Sequence, residues 1–209
     1  YKVTGVVNAY MNGLFEGKVI NGLKFKGLKE ALGDKRFIKF LENNPVYNAL
    51  LRNTVTLTML KGGEKINVIP SESVAYFDAR LLPTEKHETF FKRIRTLAGG
   101  DVEISRIGGG ISEPAPSGFN TTYFKGIKKA IRRKKGNIQV LPFITTGATD
   151  LRYFRNLGIT AYGFFPATIS IDDFLRMHGK NERISVEGFA EGMNNTYDIA
   201  KFLSGDIKN

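Results

Sequence analysis

The chain has 209 residues, 42% hydrophobic and 24% charged, with a net charge of +11 and no cysteine. That length holds one large domain or two small ones, and the composition is that of a soluble globular protein. Disulfide and thiolate chemistry are excluded, so a metal site here would use histidine and carboxylates; no apolar run reaches the length of a membrane span, and no secretory signal pattern opens the chain at Tyr1.

Residues 1 to 50 are punctuated by glycine. Tyr1 to Val7 reads as a strand weakened by Gly5. The apolar spacing of Leu28, Ala31, Leu32, Phe37, Ile38 and Leu41 predicts a helix interrupted near Gly33-Asp34 and ended by Asn43-Asn44-Pro45. From Thr54 to Leu60 the run is β-branched and alternating, which predicts a strand with one buried face; Lys61 to Glu64 reads as a turn. A second strand is expected from Ser73 to Leu82, closed by Pro83. Thr84 then caps a predicted helix from Glu85 to Ala98, with Phe90, Phe91, Ile94 and Leu97 on its apolar face and Gly99-Gly100 as the stop. Asp101 to Ile107 reads as a third strand. The order strand, strand, helix, strand suggests a split βαβ layer with an antiparallel sheet, a fourth strand coming from the N-terminal region.

The glycines at 108–110 and the Pro114 to Gly118 stretch mark a domain boundary. Beyond it helices and strands alternate. The basic run from Lys125 to Lys135 carries Phe124, Ile127 and Ile131 at helical spacing, so it reads as an amphipathic helix with a solvated basic face. Aromatic residues are not interleaved with its cations as a single-strand nucleic-acid platform requires. Ile138 to Ile144 and Ile159 to Phe165 are continuous apolar runs of the buried parallel-strand type. Between them lies the loop Thr145 to Asp150, with Asp150 as a cap for a short helix ending at Gly158. A loop over 166–184 carries His178, one of only two histidines. Ser185 then caps a final helix, Val186 to Leu203, with Phe189, Ala190, Met193, Tyr197 and Ala200 on one face.

Three stretches occur together in order: Asn67 to Pro70 leading into Phe77-Asp-Ala-Arg80; Thr146-Gly-Ala-Thr-Asp150 followed by Phe154 to Gly158; and His178-Gly-Lys-Asn-Glu182 running on to Ser185. With them the chain resembles the co-catalytic zinc metallopeptidases that include carboxypeptidase S, aminoacylase, acetylornithine deacetylase and succinyl-diaminopimelate desuccinylase. The resemblance runs from about Pro45 to the end, and Asn48-Ala-Leu-Leu-Arg52 points to the carboxypeptidase S-like branch. It implies a mixed α/β fold: an α+β lid (dimerisation) domain of ferredoxin-like split βαβ type over residues 1–112, its start incomplete, followed by the C-terminal part of an α/β catalytic domain over 113–209. It further implies that His178 is a metal ligand, that Asn67 and Arg80 bind the substrate carboxylate or polarise its carbonyl, and that the Thr146-Gly147 loop meets the substrate through backbone N–H groups. The alternatives are a polar residue on a solvated strand face for Arg80 and an ordinary strand-to-helix turn for the loop.

The family's reaction is hydrolysis of an amide by water activated between two zinc ions, with a glutamate as general base. This sequence has no Glu-Glu pair, and neither histidine is followed two residues later by aspartate; His87 reads as a solvated residue at a helix start. No catalytic residue of that mechanism is therefore assigned to this chain. The resemblance then implies roughly the C-terminal half of such an enzyme, inactive by itself, with apolar surface exposed where sheet partners are missing. Its substrate would be a small peptide or N-acyl amino acid, with a homodimer through the lid, no nucleic-acid or membrane partner, and a reducing, cytoplasmic compartment slightly favoured. A non-catalytic dimerisation module is the second reading; a basic nucleic-acid-binding protein ranks below both.

Overall fold

The first helix stands where a strand is expected. In the computed structural model, which describes residues 1–107 and 115–205, α1 spans Gly5–Phe15 and the hydroxyl of Thr4 accepts the Val7 N–H at its start. Val7, Met11 and Phe15 recur every four residues, and each is at most 7% exposed. That helical period outweighs the short apolar look of Tyr1 to Val7. A two-stranded ribbon follows, β1 (Val19–Ile20) antiparallel to β2 (Leu23–Lys24). Then come α2 (Leu28–Ala31), α3 (Lys35–Glu42) and α4 (Pro45–Ala49). The break between α2 and α3 falls at Gly33-Asp34 as expected, and the Asp34 carboxylate caps α3 by accepting the Arg36 N–H at 2.8 Å. These helices close over one apolar core around Phe15, whose ring meets those of Phe25, Phe37, Phe40 and Tyr47 at centroid distances of 5.6, 6.4, 5.5 and 5.4 Å. Burying each large side chain here contributes about 1.5–3 kcal/mol.

β3 (Thr54–Gly62) and β4 (Ser73–Arg80) pair antiparallel from Thr54↔Arg80 to Gly62↔Ser73, with a bulge between Leu57 and Met59. The strand runs on through Gly62, where a turn is expected, because the chain passes close there: a Cβ on Gly62 would lie 2.6 Å from the Ser73 hydroxyl. α5 spans His87–Ala98 and starts two residues later than expected, with Lys86 rather than Thr84 at its cap. Residues 82–85 form a turn instead. The Leu82 N–H donates to the Asn53 side chain at 2.8 Å, the Glu85 N–H donates to the Leu82 carbonyl, and the Glu85 carboxylate pairs with Lys2.

The mixed α/β class with antiparallel pairing holds, and among the described residues the pairing is two-stranded, without the four-stranded split βαβ sheet. Residues 101–107 are in no strand, and the N-terminal segment is helical. The runs 138–144 and 159–165 likewise have no strand partner among the described residues. A strand exists only by pairing, and apolar composition alone supplies no ladder. The expected boundary falls largely on 108–114, outside the described residues.

The chain divides into two compact units, one built from the described residues of Tyr1–Pro116 with Leu141–Leu157, the other from those of Ser117–Val140 with Gly158–Asn209. In the first, Ile144 packs against the helical core and the Phe143 ring meets Tyr10 edge-on at 5.0 Å; α7 (Leu151–Asn156) also lies there. The second is organised by α6 (Thr122–Lys135) and α9 (Val186–Leu203), capped by the Thr121 and Ser185 hydroxyls, with α8 (Ile171–Phe174) between them in sequence. α9 seats through small and polar residues. Gly188, Gly192 and Asn195 are buried, and the Asn195 amide donates to the Pro166 carbonyl at 2.7 Å. The predicted apolar face points the other way: Phe189, Met193 and Tyr197 are 57%, 59% and 63% exposed.

Candidate functional site

Arg80 ends β4, so its side chain follows from a strand position. Asp78 sits two residues earlier on the same face, and its carboxylate accepts Arg80 Nε at 2.6 Å. Arg80 Nη1 donates to the Thr146 carbonyl at 3.4 Å across 66 residues of chain. The fold thus brings together two of the residues singled out in the sequence, Arg80 and Thr146, with Gly147 adjacent. Arg80 keeps half its side chain exposed, so its fork stays open to an anion from solvent. The loop's own N–H groups are less free than expected: that of Gly147 donates to the Thr145 hydroxyl at 3.1 Å.

Asn67 is not part of this arrangement. It lies exposed in the loop joining β3 and β4, at the Gly62–Ser73 end of the ribbon, whereas Arg80 pairs with Thr54 at the opposite end. Seven residues of β4 separate those ends, about 23 Å at the usual strand rise.

His178 stands in the second unit, exposed, with φ +61°, a backbone state an L-residue seldom adopts. Its N–H donates to the Glu182 carboxylate at 3.2 Å, and Asn181 is left-handed as well, at φ +57°. Gly179 answers the close approach of the Arg176 carbonyl, 3.1 Å from where a Cβ would sit. Asp173 fastens this loop. Its carboxylate accepts Arg183 Nε at 2.7 Å and the Ser170 hydroxyl at 2.8 Å. Those bonds, Arg183 first, hold its carboxyl below the usual carboxylate range.

A zinc site needs three or four converging donors. Among the described residues no three His, Asp or Glu side chains gather in that way. The described residues therefore do not by themselves fit a metal ion.

The sequence reading did not single out Asp78 or Asp173. Each has a local signal: an acid and Arg80 two apart on one strand face, and Ser170-x-x-Asp173 as a variant capping box, in which the Ser170 hydroxyl accepts the Asp173 N–H at 3.1 Å.

Residues 20–106 match the sequence profile of the peptidase dimerisation domain of the M20 family. Human N-fatty-acyl-amino acid synthase/hydrolase PM20D1 is 30% identical over 154 residues, covering 72% of this chain and 31% of that protein. The protein named probable carboxypeptidase S-like 2 from Dictyostelium discoideum is 30% identical over 165 residues, 78% of this chain and 32% of its own length. Rat aminoacylase-1A is 29% identical over 157 residues, 73% of this chain and 37% of that one. The chain thus spans about a third of the length of these curated relatives. In fold it is similar to the crystal structure of an M20 family metallo-carboxypeptidase, Sso-CP2, from Sulfolobus solfataricus. That likeness has a TM-score of 0.52 at 18% identity and covers 97% of this chain and 46% of that one. With the dimerisation domain matched over the ribbon and α5, and relatives of carboxypeptidase S and aminoacylase type aligned over most of its length, the chain belongs to the M20 peptidase family.

Proposed function

We propose that this chain is part of a zinc-dependent metallopeptidase or amidohydrolase that cleaves the amide bond of dipeptides or N-acyl amino acids, and that the chain by itself is inactive. The meeting of Arg80 with Thr146 carries this reading, since it places a permanently charged fork against a loop that the sequence marks independently. Arg80 binds the substrate's free carboxylate, with Thr146 and Gly147 as the adjoining backbone. His178 supplies one metal ligand. Residues 1–112 are the lid and 113–209 belong to the catalytic domain. The names of the relatives, an N-fatty-acyl-amino acid synthase/hydrolase and an aminoacylase, support the substrate class. A homodimer through the lid is supported by the exposed Val55, Leu57, Leu60 and Phe77 of β3 and β4.

The test titrates the chain with an N-acyl amino acid and with its methyl ester, followed by amide NMR. The acid is expected to shift Arg80, Thr146 and Gly147, the ester is not, and Arg80→Ala abolishes the response. Equal response to acid and ester overturns the carboxylate role. Zinc retained after desalting is expected to be near zero; tightly held zinc, or robust amide hydrolysis by the chain alone, overturns its dependence on ligands from elsewhere.

A further inference from the structure

The basic face of α6 becomes a groove once α9 is in place. Lys125, Lys128, Lys129, Arg132 and Arg133 line an open concavity of 620 Å³, with Phe202 of α9 as its apolar wall. Among the described residues no carboxylate lines it. The α9 acids that reach α6 pair elsewhere, Asp198 with Lys134 and Glu191 with Lys135. The groove is held in shape. Gly126 lets α9 approach so closely that a Cβ there would lie 2.7 Å from Leu203. The Lys129 ammonium stands 5.8 Å from the Phe202 ring centre and Lys128 stands 5.9 Å from that of Phe124. Arg132 Nε donates to the Ile138 carbonyl at 3.0 Å.

Helix polarity explains only part of this charge. Cations in the last turn of α6 complement the negative end of its dipole, but Lys125 and Lys128 lie in its first half, where that benefit is absent. Like charges gathered on one face repel, and an anion seated among them relieves the repulsion. We propose that this groove binds a compact, soluble, multiply phosphorylated small molecule. Lys125, Lys128, Arg132 and Arg133 together exceed what one carboxylate neutralises, and the two arginines match phosphoryl oxygens in bidentate geometry. From Lys125 to Arg133 the helix rises about 12 Å, the span of a few linked phosphoryl groups rather than of a long polymer. The volume lies within the roughly 300–1,000 Å³ of small-molecule sites. A single lining aromatic disfavours a nucleic-acid strand.

The test is calorimetric titration of the chain with inorganic tripolyphosphate. Saturation at one equivalent is expected, weakened about tenfold or more by Arg132→Gln with Arg133→Gln, as loss of charge-assisted phosphate contacts predicts. Lys92→Gln with Arg95→Gln, which removes the same charge from α5, is expected to leave binding within about twofold. If the first pair fails to fold, Lys125→Gln with Lys128→Gln replaces it. An N-acyl amino acid is expected not to compete, which separates this site from that of Arg80. Equal weakening by the groove and α5 pairs, absence of saturation, or tighter binding to phosphatidylserine vesicles or duplex DNA than to tripolyphosphate overturns the proposal.

Discussion

Replacing Gly188 by alanine tests how α9 is seated, and the expected sign is opposite to the intrinsic one. In a helix interior, glycine to alanine gains about 1 kcal/mol of propensity. At Gly188, however, the new Cβ would lie 2.8 Å from the Thr168 carbonyl oxygen and 2.9 Å from the Ser185 hydroxyl. That hydroxyl is the helix cap and accepts the Gly188 N–H at 3.0 Å. Overpacking against backbone costs about 1–3 kcal/mol, and losing the cap costs about 1 kcal/mol more. The net expectation is a destabilisation of about 1–3 kcal/mol, the propensity gain offsetting the cap loss. Native-state hydrogen exchange reads it locally: amides in the middle of α9 should exchange about 5- to 150-fold faster. Gly5→Ala is the control, because nothing lies within 4 Å of its Cβ position in α1, and slower exchange there is expected. Unchanged or slower exchange of α9 in Gly188→Ala would refute the seating of this helix against residue 168.

Acid should loosen the turn before α5 through Glu85, whose carboxyl is held below its ordinary value of 4.5 by Lys2 and then Asn53. A lowered folded value means the unfolded chain binds the extra proton, so this stability is complete above the ordinary value and is lost as pH falls through the folded one. Thermal unfolding of Glu85→Gln should therefore depend less on pH between about 5 and 3 than that of the parent, and parallel curves would contradict it. Asp34 behaves in the same sense, its carboxyl being held at about 2 by Arg36, so Asp34→Asn should remove acid sensitivity down to that value. Phe37→Ala, at a fully buried position stacked on Phe40 at 5.7 Å, should cost about 3–5 kcal/mol in urea unfolding; a loss below about 1 kcal/mol would deny the helical core its centre. Asp173→Asn should broaden the amide signals of 178–183 while leaving those of α1 unchanged, and equally sharp loop signals would show that Asp173 does not fasten the loop.

Local chemistry made much of this legible. The β3–β4 pair followed from alternation, α3 from its periodicity and the Gly33-Asp34 break, and α9 from Ser185. The failures have one kind of cause. Tyr1 to Val7, 101–107, 138–144 and 159–165 all have the composition of strands, yet a strand needs a neighbour's backbone, and composition does not report whether one is present.

By itself the sequence determined the family, the Ser185 cap of α9 and the antiparallel ribbon, because each depends on local chemistry or on a motif in order. Only the tertiary structure decided that Arg80 reaches Thr146 while Asn67 stands at the far end of the ribbon, since ladder register sets those distances. It likewise decided that α9 buries Gly188 and Gly192 and exposes Phe189 and Met193. A helix with apolar residues on one side and small ones on the other can seat by either face. The close approach of residues 167 and 168, which only glycine admits, selects the small one.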